Sequence, residues 1–170
     1  MNPSTNLTIT TAHHRRLRDH LFPGDGLEAA AILLCARTPG PRVRLLVKDV
    51  LFVPHEDCKA RQPDYLKWPG MAIEAAIDRA ETEGLSLVLT HSHPGGLFDF
   101  SLHDDKSDQL TMPGVFQALG SLHGTAIMTP DGAILARLYR PDVEPISVDS
   151  VTVIGDELTW WWADKQFSSR

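Results

Sequence analysis

Cysteine is nearly missing: the 170 residues hold only Cys35 and Cys58. Neither sits in a Cys-x-x-Cys pair, which excludes a disulfide framework and a thiolate zinc knot. Long apolar runs are missing too. The longest, Ala29 to Ala36, is far short of the roughly 20 residues that cross a bilayer, and residues 1–12 lack the apolar segment of a secretory signal. A cytoplasmic location with no membrane partner is the expectation. Positive charge is in deficit, with 16 Lys plus Arg against 22 Asp plus Glu for a net −6. Nucleic acid is therefore not an expected partner, because phosphate binding draws on Lys and Arg. The one basic cluster, Arg15-Arg16-Leu17-Arg18, reads as a solvated helix face. No His-Glu-x-x-His occurs: His55-Glu56-Asp57-Cys58 opens like one but has no second histidine. A Gly-x-Ser-x-Gly elbow and a Gly-x-x-x-x-Gly-Lys loop are likewise missing, as are internal repeats.

What remains is an ordinary globular composition, 42% hydrophobic and 22% charged, of a length suited to one domain spanning 1–170. Residues 1–10 are expected to be disordered or loosely attached, and 141–170 to form a C-terminal extension. Thr11 is a candidate cap for a helix ending near Phe22. Glu28 to Ala36 is apolar on both faces and bounded by breakers, which favours a buried strand, and Val43 to Val53 follows as another. Pro54 to Pro69 reads as a polar loop carrying Tyr65 and Trp68. Ile73, Ala76, Ile77 and Ala80 fall at helical spacing and predict a helix over 70–83, ended by Gly84. Leu85 to Thr90 has the continuous apolar character of a central strand. A helix starts at Ser101 and is interrupted by Pro113. Thr125 to Met128 and Ala133 to Tyr139 are strands around the turn Pro130-Asp131-Gly132. Alternating helices and strands make this an α/β chain with a mixed β-sheet flanked by helices. In Trp160-Trp161-Trp162, successive strand residues alternate faces, so at least one ring should be exposed or at an interface.

Chemistry concentrates between His91 and Asp104. If the strand continues through His91 and His93, two residues apart, both imidazoles point to one face and suit a Zn²⁺ ion. Pro94 ends the strand because it cannot donate to the ladder. Ser101 with Asp104 three residues on has the form of a capping box, which sets Asp104 in the first turn of a new helix. Two histidines and one carboxylate leave a fourth position open, the catalytic form of a zinc site. His103 and Asp105 are adjacent competitors for a ligand role.

The run His91-x-His93-Pro94, a six-residue spacer, and Ser101-x-x-Asp104 is similar to the signature of the JAMM metalloproteases, also called the MPN-plus or Mov34/PAD-1-like family. That signature has an upstream Glu heading an apolar strand of the form Glu-x-x-Gly-Leu-Leu-x-Gly. Here the strand reads Glu28-Ala29-Ala30-Ala31-Ile32-Leu33-Leu34-Cys35, with Ala31 and Cys35 in place of the glycines. The likeness covers about residues 20–140, and a short stand-alone domain resembles the bacterial branch. The resemblance implies a cytidine-deaminase-like core. It also implies one Zn²⁺ with a bound water on His91, His93 and Asp104, Glu28 as general acid–base, and Ser101 as oxyanion donor. Further, it implies cleavage after the C-terminal Gly-Gly of a ubiquitin-like protein, in deubiquitinase-like deconjugation or maturation, including sulfur-transfer or antiphage systems. The partners so implied are that protein, its conjugates, and activating or conjugating enzymes. Pro54–Pro69 corresponds to the family's first insertion, and Tyr65 and Trp68 would touch the substrate tail. Two other readings stand beside this one: a metal-dependent hydrolase of a sulfur-carrier adduct, and a non-catalytic MPN-type scaffold.

Overall fold

Strands that are apolar on both faces belong in the middle of a sheet covered on both sides, and that is where the runs at 30–37 and 86–92 lie. The structure is a computed structural model and describes residues 4–120, 122–156 and 158–163. Its strands are β1 (Thr5–Thr10), β2 (Ala30–Arg37), β3 (Val43–Phe52), β4 (Ala60–Gln62), β5 (Tyr65–Lys67), β6 (Ser86–Ser92), β7 (His123–Met128), β8 (Ile134–Arg140), β9 (Val143–Ser147), β10 (Ser150–Ile154) and β11 (Thr159–Trp162). The helices are α1 (Thr11–Leu21), α2 (Gly70–Glu83) and α3 (Leu102–Leu119). Nine strands form one mixed sheet in the order β11-β10-β1-β3-β2-β6-β7-β8-β9, and β4 with β5 makes a separate hairpin. β2 runs antiparallel to β3 and β6, while β6 and β7 are parallel.

Strand parity sorts the core. Ala31, Leu33 and Val88 face α1, where Leu17 and Leu21 pack with Leu7 and Ile9. Ile32, Leu34, Leu87 and Leu89 face α2 and α3, meeting Ala76, Ala80, Met112 and Val115. Continuing these parities, Glu28 and His91 fall on the α2/α3 side. The helix-to-strand spacing at α2 emerges as expected, and Gly84 closes it in the left-handed conformation with φ +67°.

Several expectations are corrected. Residues 5–10 are not loose: β1 lies between β3 and β10, parallel to both, with Leu7 and Ile9 buried. The alternation of Leu7 and Ile9 with Asn6 and Thr8 is that of a half-buried strand, diluted by threonines that read as polar. Residues 141–163 are no appendage either, since β9, β10 and β11 belong to the main sheet. Residues 1–3 and 164–170 lie outside the described residues. The 54–69 segment is a one-turn helix at His55–Asp57 followed by the β4–β5 hairpin. Pro113 does not interrupt α3. It is exposed, so water can serve the carbonyl it deprives, while Met112 and Val115 keep the helix packed. The cap of α1 is Thr10, not Thr11. In β11, Trp161 packs into the α1-side core and stacks on His14 at 5.6 Å, and Trp160 and Trp162, of opposite parity, are half-buried.

Candidate metal centre

Pro94 stops β6 at Ser92 as its missing N–H requires. His93 still extends the ladder by one bond, from its N–H to the Met128 carbonyl at 2.9 Å. The chain then turns through Gly96, whose φ of +81° suits glycine. His91 points toward α3 and His93 follows at the strand end, so that their Nε2 atoms lie 3.0 Å apart. The His93 Nδ1–H donates to the Leu97 carbonyl at 2.8 Å, which leaves the Nε2 lone pair of the neutral ring for a ligand role.

Ser101 caps α3 in a complete capping box. Its hydroxyl accepts from the Asp104 N–H at 3.1 Å, and its N–H donates to Asp104 Oδ2 at 2.6 Å. The hydroxyl also donates to the same Oδ2 at 2.7 Å. Asp104 so held offers Oδ1 to His91 Nε2 at 3.0 Å and Oδ2 to His93 Nε2 at 3.4 Å. A tetrahedral ion with bonds of roughly 2.0–2.1 Å has ligand atoms separated by about 3.3 Å, so the two imidazoles and the Asp104 carboxylate stand at separations close to those of zinc ligands.

Glu28 approaches the same imidazoles, its carboxylate and their nitrogens all lying within 4.8 Å of one another. Two strands fix it. The Glu28 N–H donates to the Gln62 carbonyl at 2.9 Å, joining it to β4. Arg61 donates from Nε to the Glu28 carbonyl at 2.8 Å and pairs with Asp25 at 3.0 Å. On β6, Ser92 clasps the next residue: its N–H donates to the Ala29 carbonyl at 3.0 Å and its Oγ accepts from the Ala29 N–H at 2.9 Å.

The two carboxylates are distinguished by electrostatics. Burial dominates at Glu28 and, with the nearby Asp104 and Asp64 charges, raises its pKa to about 7 against the pull of His93. At Asp104 burial also pushes upward. There, however, the hydrogen bonds from His91 and His93, the His91 charge and the Ser101 N–H prevail and hold the carboxyl well below its ordinary range. His93 is raised despite its burial, by Asp104, the Leu97 carbonyl and Glu28. Paired carboxyls driven apart in this way take different roles. Asp104 has the ionised state a ligand needs, and Glu28 has the near-neutral pKa of a proton carrier.

The competitors drop out. Asp105 pairs with Arg137 at 2.6 Å, and His103 lies against Tyr65 with ring centres 4.8 Å apart. Trp68, with Glu28, His91, His103 and Asp104, lines a cavity of about 30 Å³. Tyr65 stands on β5 at the His103 edge of this cavity. Sequence reasoning missed Arg61 and Ser92; only their side-chain bonds to the Glu28 segment single them out, and no local pattern announces them.

A covered mixed sheet that offers His-x-His from a strand end and Asp from a facing helix N-terminus, with a buried Glu alongside, defines a domain of the JAB/MPN type whose side chains could hold a metal ion. Residues 10–137 match the family described as prokaryotic homologues of the JAB domain, and the chain belongs to that family. Among solved structures it is similar to the solution structure of a protein from Desulfitobacterium hafniense, at 15% identity and a TM-score of 0.61, covering 88% of this chain and 94% of that one. At that identity the likeness is one of fold. No curated protein matches the sequence significantly. Among the described residues no helix is long and apolar enough to cross a membrane.

Proposed function

We propose that the protein is a cytoplasmic zinc metallopeptidase that hydrolyses the bond after the C-terminal Gly-Gly of a ubiquitin-like protein, releasing it from a conjugate or a precursor. The observation that carries this reading is the pair of carboxylates around one pair of imidazoles, Asp104 ionised and Glu28 raised to about 7. His91, His93 and Asp104 would hold zinc, which when bound supplies a Lewis acid and lowers the pKa of water to about 7. Glu28 takes the proton from the attacking water and passes it to the departing amine, a role worth roughly 10²–10⁴ in turnover. Its pKa near neutrality equips it for both transfers. Ser101 orients Asp104 in the resting site, and by turning its hydroxyl toward the scissile carbonyl it would donate to the oxyanion.

The narrow cavity supports a small residue such as glycine at the scissile bond: about 30 Å³ admits roughly two waters. An extended tail can run beside the β4–β5 hairpin in the manner of an added strand, with Tyr65 and Trp68 as its apolar contacts. A neighbouring gene for a ubiquitin-like protein with its activating enzyme would assign the pathway, antiphage systems included.

The test is direct. The purified chain should contain one zinc per molecule by elemental analysis. It should also cleave a ubiquitin-like protein joined through Gly-Gly to a reporter. Glu28→Gln should keep the zinc and lose at least about 10² in turnover. Undiminished cleavage by that variant, or a folded wild-type chain that takes up no zinc, removes the reading.

A further inference from the structure

Asp104 reaches the imidazoles only if the first turn of α3 is held at a set distance from β6. The capping box shapes that turn without fixing the distance. A network buried at Asp108 and more open at Asp105 joins the same stretch of helix to the sheet. Arg137, on β8, donates from Nη1 to Asp105 Oδ1 at 2.6 Å. Its Nη2 and Nε donate to Asp108 Oδ2 at 2.7 and 3.2 Å. The same oxygen accepts from the Thr125 hydroxyl on β7 at 2.8 Å and the Tyr139 hydroxyl on β8 at 2.6 Å. Phe100, in the loop between His93 and Ser101, places its ring centre 3.8 Å from the Arg137 Cζ.

Asp105 and Asp108 follow Asp104 by one and four residues, so Asp108 lies on the ligand's own helical face, and it lines the same small cavity. A buried ion pair needs saturated hydrogen bonding wherever it sits. This one, in addition, grips the two residues one and four positions after the ligand and stacks on Phe100, in the loop that connects His93 to it. We propose that Arg137 is a positioning residue for the metal centre: through Asp105 and Asp108 it holds Asp104 within ligand distance of His91 and His93. The inference rests on the zinc reading above and adds the device that sets the third ligand.

Partners of metal-ligating groups typically contribute 10–100-fold to affinity. The experiment measures the zinc Kd of folded protein by chelator competition, and the ligand-field spectrum of the Co²⁺-substituted form, for wild type, Arg137→Lys and Tyr139→Phe. Lysine keeps the charge but is a point donor that cannot grip two carboxylates as the guanidinium fork does. Arg137→Lys is expected to bind zinc about 10–100-fold more weakly, with an altered cobalt spectrum. Tyr139→Phe, which loses one donor to Asp108, is expected between it and wild type. Arg137→Lys with the wild-type Kd and spectrum overturns the proposal, however much its melting temperature falls, since a merely structural role would move stability alone. If Arg137→Lys does not fold, Tyr139→Phe decides: a weakened Kd supports the inference and an unchanged one overturns it. A wild-type chain that binds no zinc is a separate result, and it takes the metal reading down with this one.

Discussion

Glu28 is 6% exposed, and burial lifts its pKa from 4.5 to about 7. The folded chain therefore holds this proton more tightly than the unfolded chain does. The cost of ionising it in place is absent below pH 4.5, grows as pH rises to about 7, and is complete above that. Metal-free Glu28→Gln should melt above metal-free wild type at about pH 8, by the equivalent of about 1–2 kcal/mol once solvent at the pocket mouth is discounted. Near pH 4.5 the two should coincide, and an equal gap at both pH values would show that charge burial is not the cause. Asp104 has the opposite sign: its depressed pKa stabilises the fold above the ordinary carboxylate range and that contribution is lost in strong acid. His91 is tested by metal. A chelator should lower the melting temperature of wild type, because zinc binds only the folded form, by about 4 kcal/mol of stability if zinc stands at 1,000 times its Kd. His91→Ala should show no such response, and a chelator effect of wild-type size in that variant would mean that His91 is not a ligand.

At the scale of elements, the proposed function would make the β4–β5 hairpin the connection between substrate contact and proton transfer. Arg61 on β4 is tied both to the Glu28 carbonyl and to Asp25, so the same hairpin that carries Tyr65 also sets where the Glu28 carboxylate points. Arg61→Ala should leave zinc content unchanged and lower kcat by roughly 10–10²-fold, as small misplacements of a catalytic group do. A change confined to KM would instead assign Arg61 to substrate binding. This hairpin also marks where the sequence stops being informative. His91, His93 and Asp104 lie within 14 residues, and strand parity plus a capping box are local rules, so their convergence could be read directly. Glu28 could be read because it heads an apolar strand. Arg61, Ser92 and Arg137 act on the site through tertiary contacts, and the three-residue strand that carries Arg61 has too few positions to show a period. For the same reason Pro113 misled: the local rule against proline in a helix was outweighed by the packing of its neighbours.

At the scale of the whole molecule, the sheet is closed by the two parts of the chain that local patterning left unassigned. β1 fills the gap between β3 and β10, and Asp149 accepts hydrogen bonds from the Ser4 N–H and hydroxyl at 2.7 and 2.8 Å and from the Thr5 N–H at 3.0 Å. β10 and β11 thus depend on β1 for their attachment to the rest of the sheet. Leu7 and Ile9 are wholly buried, and burying each contributes roughly 1.5–3 kcal/mol. Their joint loss, with the ladders to both neighbours, is comparable to the roughly 5–15 kcal/mol by which a domain is stable. It would also expose two strand edges and the apolar face of α1. A chain starting at Thr11 is therefore predicted to lose its cooperative melt and, with it, stoichiometric zinc, although no residue of the metal centre has been removed. Circular dichroism melting and elemental analysis of that truncation read both. A truncated chain that melts within a few degrees of the full one and keeps its zinc would show that β2, β3 and β6 to β8 hold the metal centre by themselves, with β1 and the strands it joins as an accessory layer.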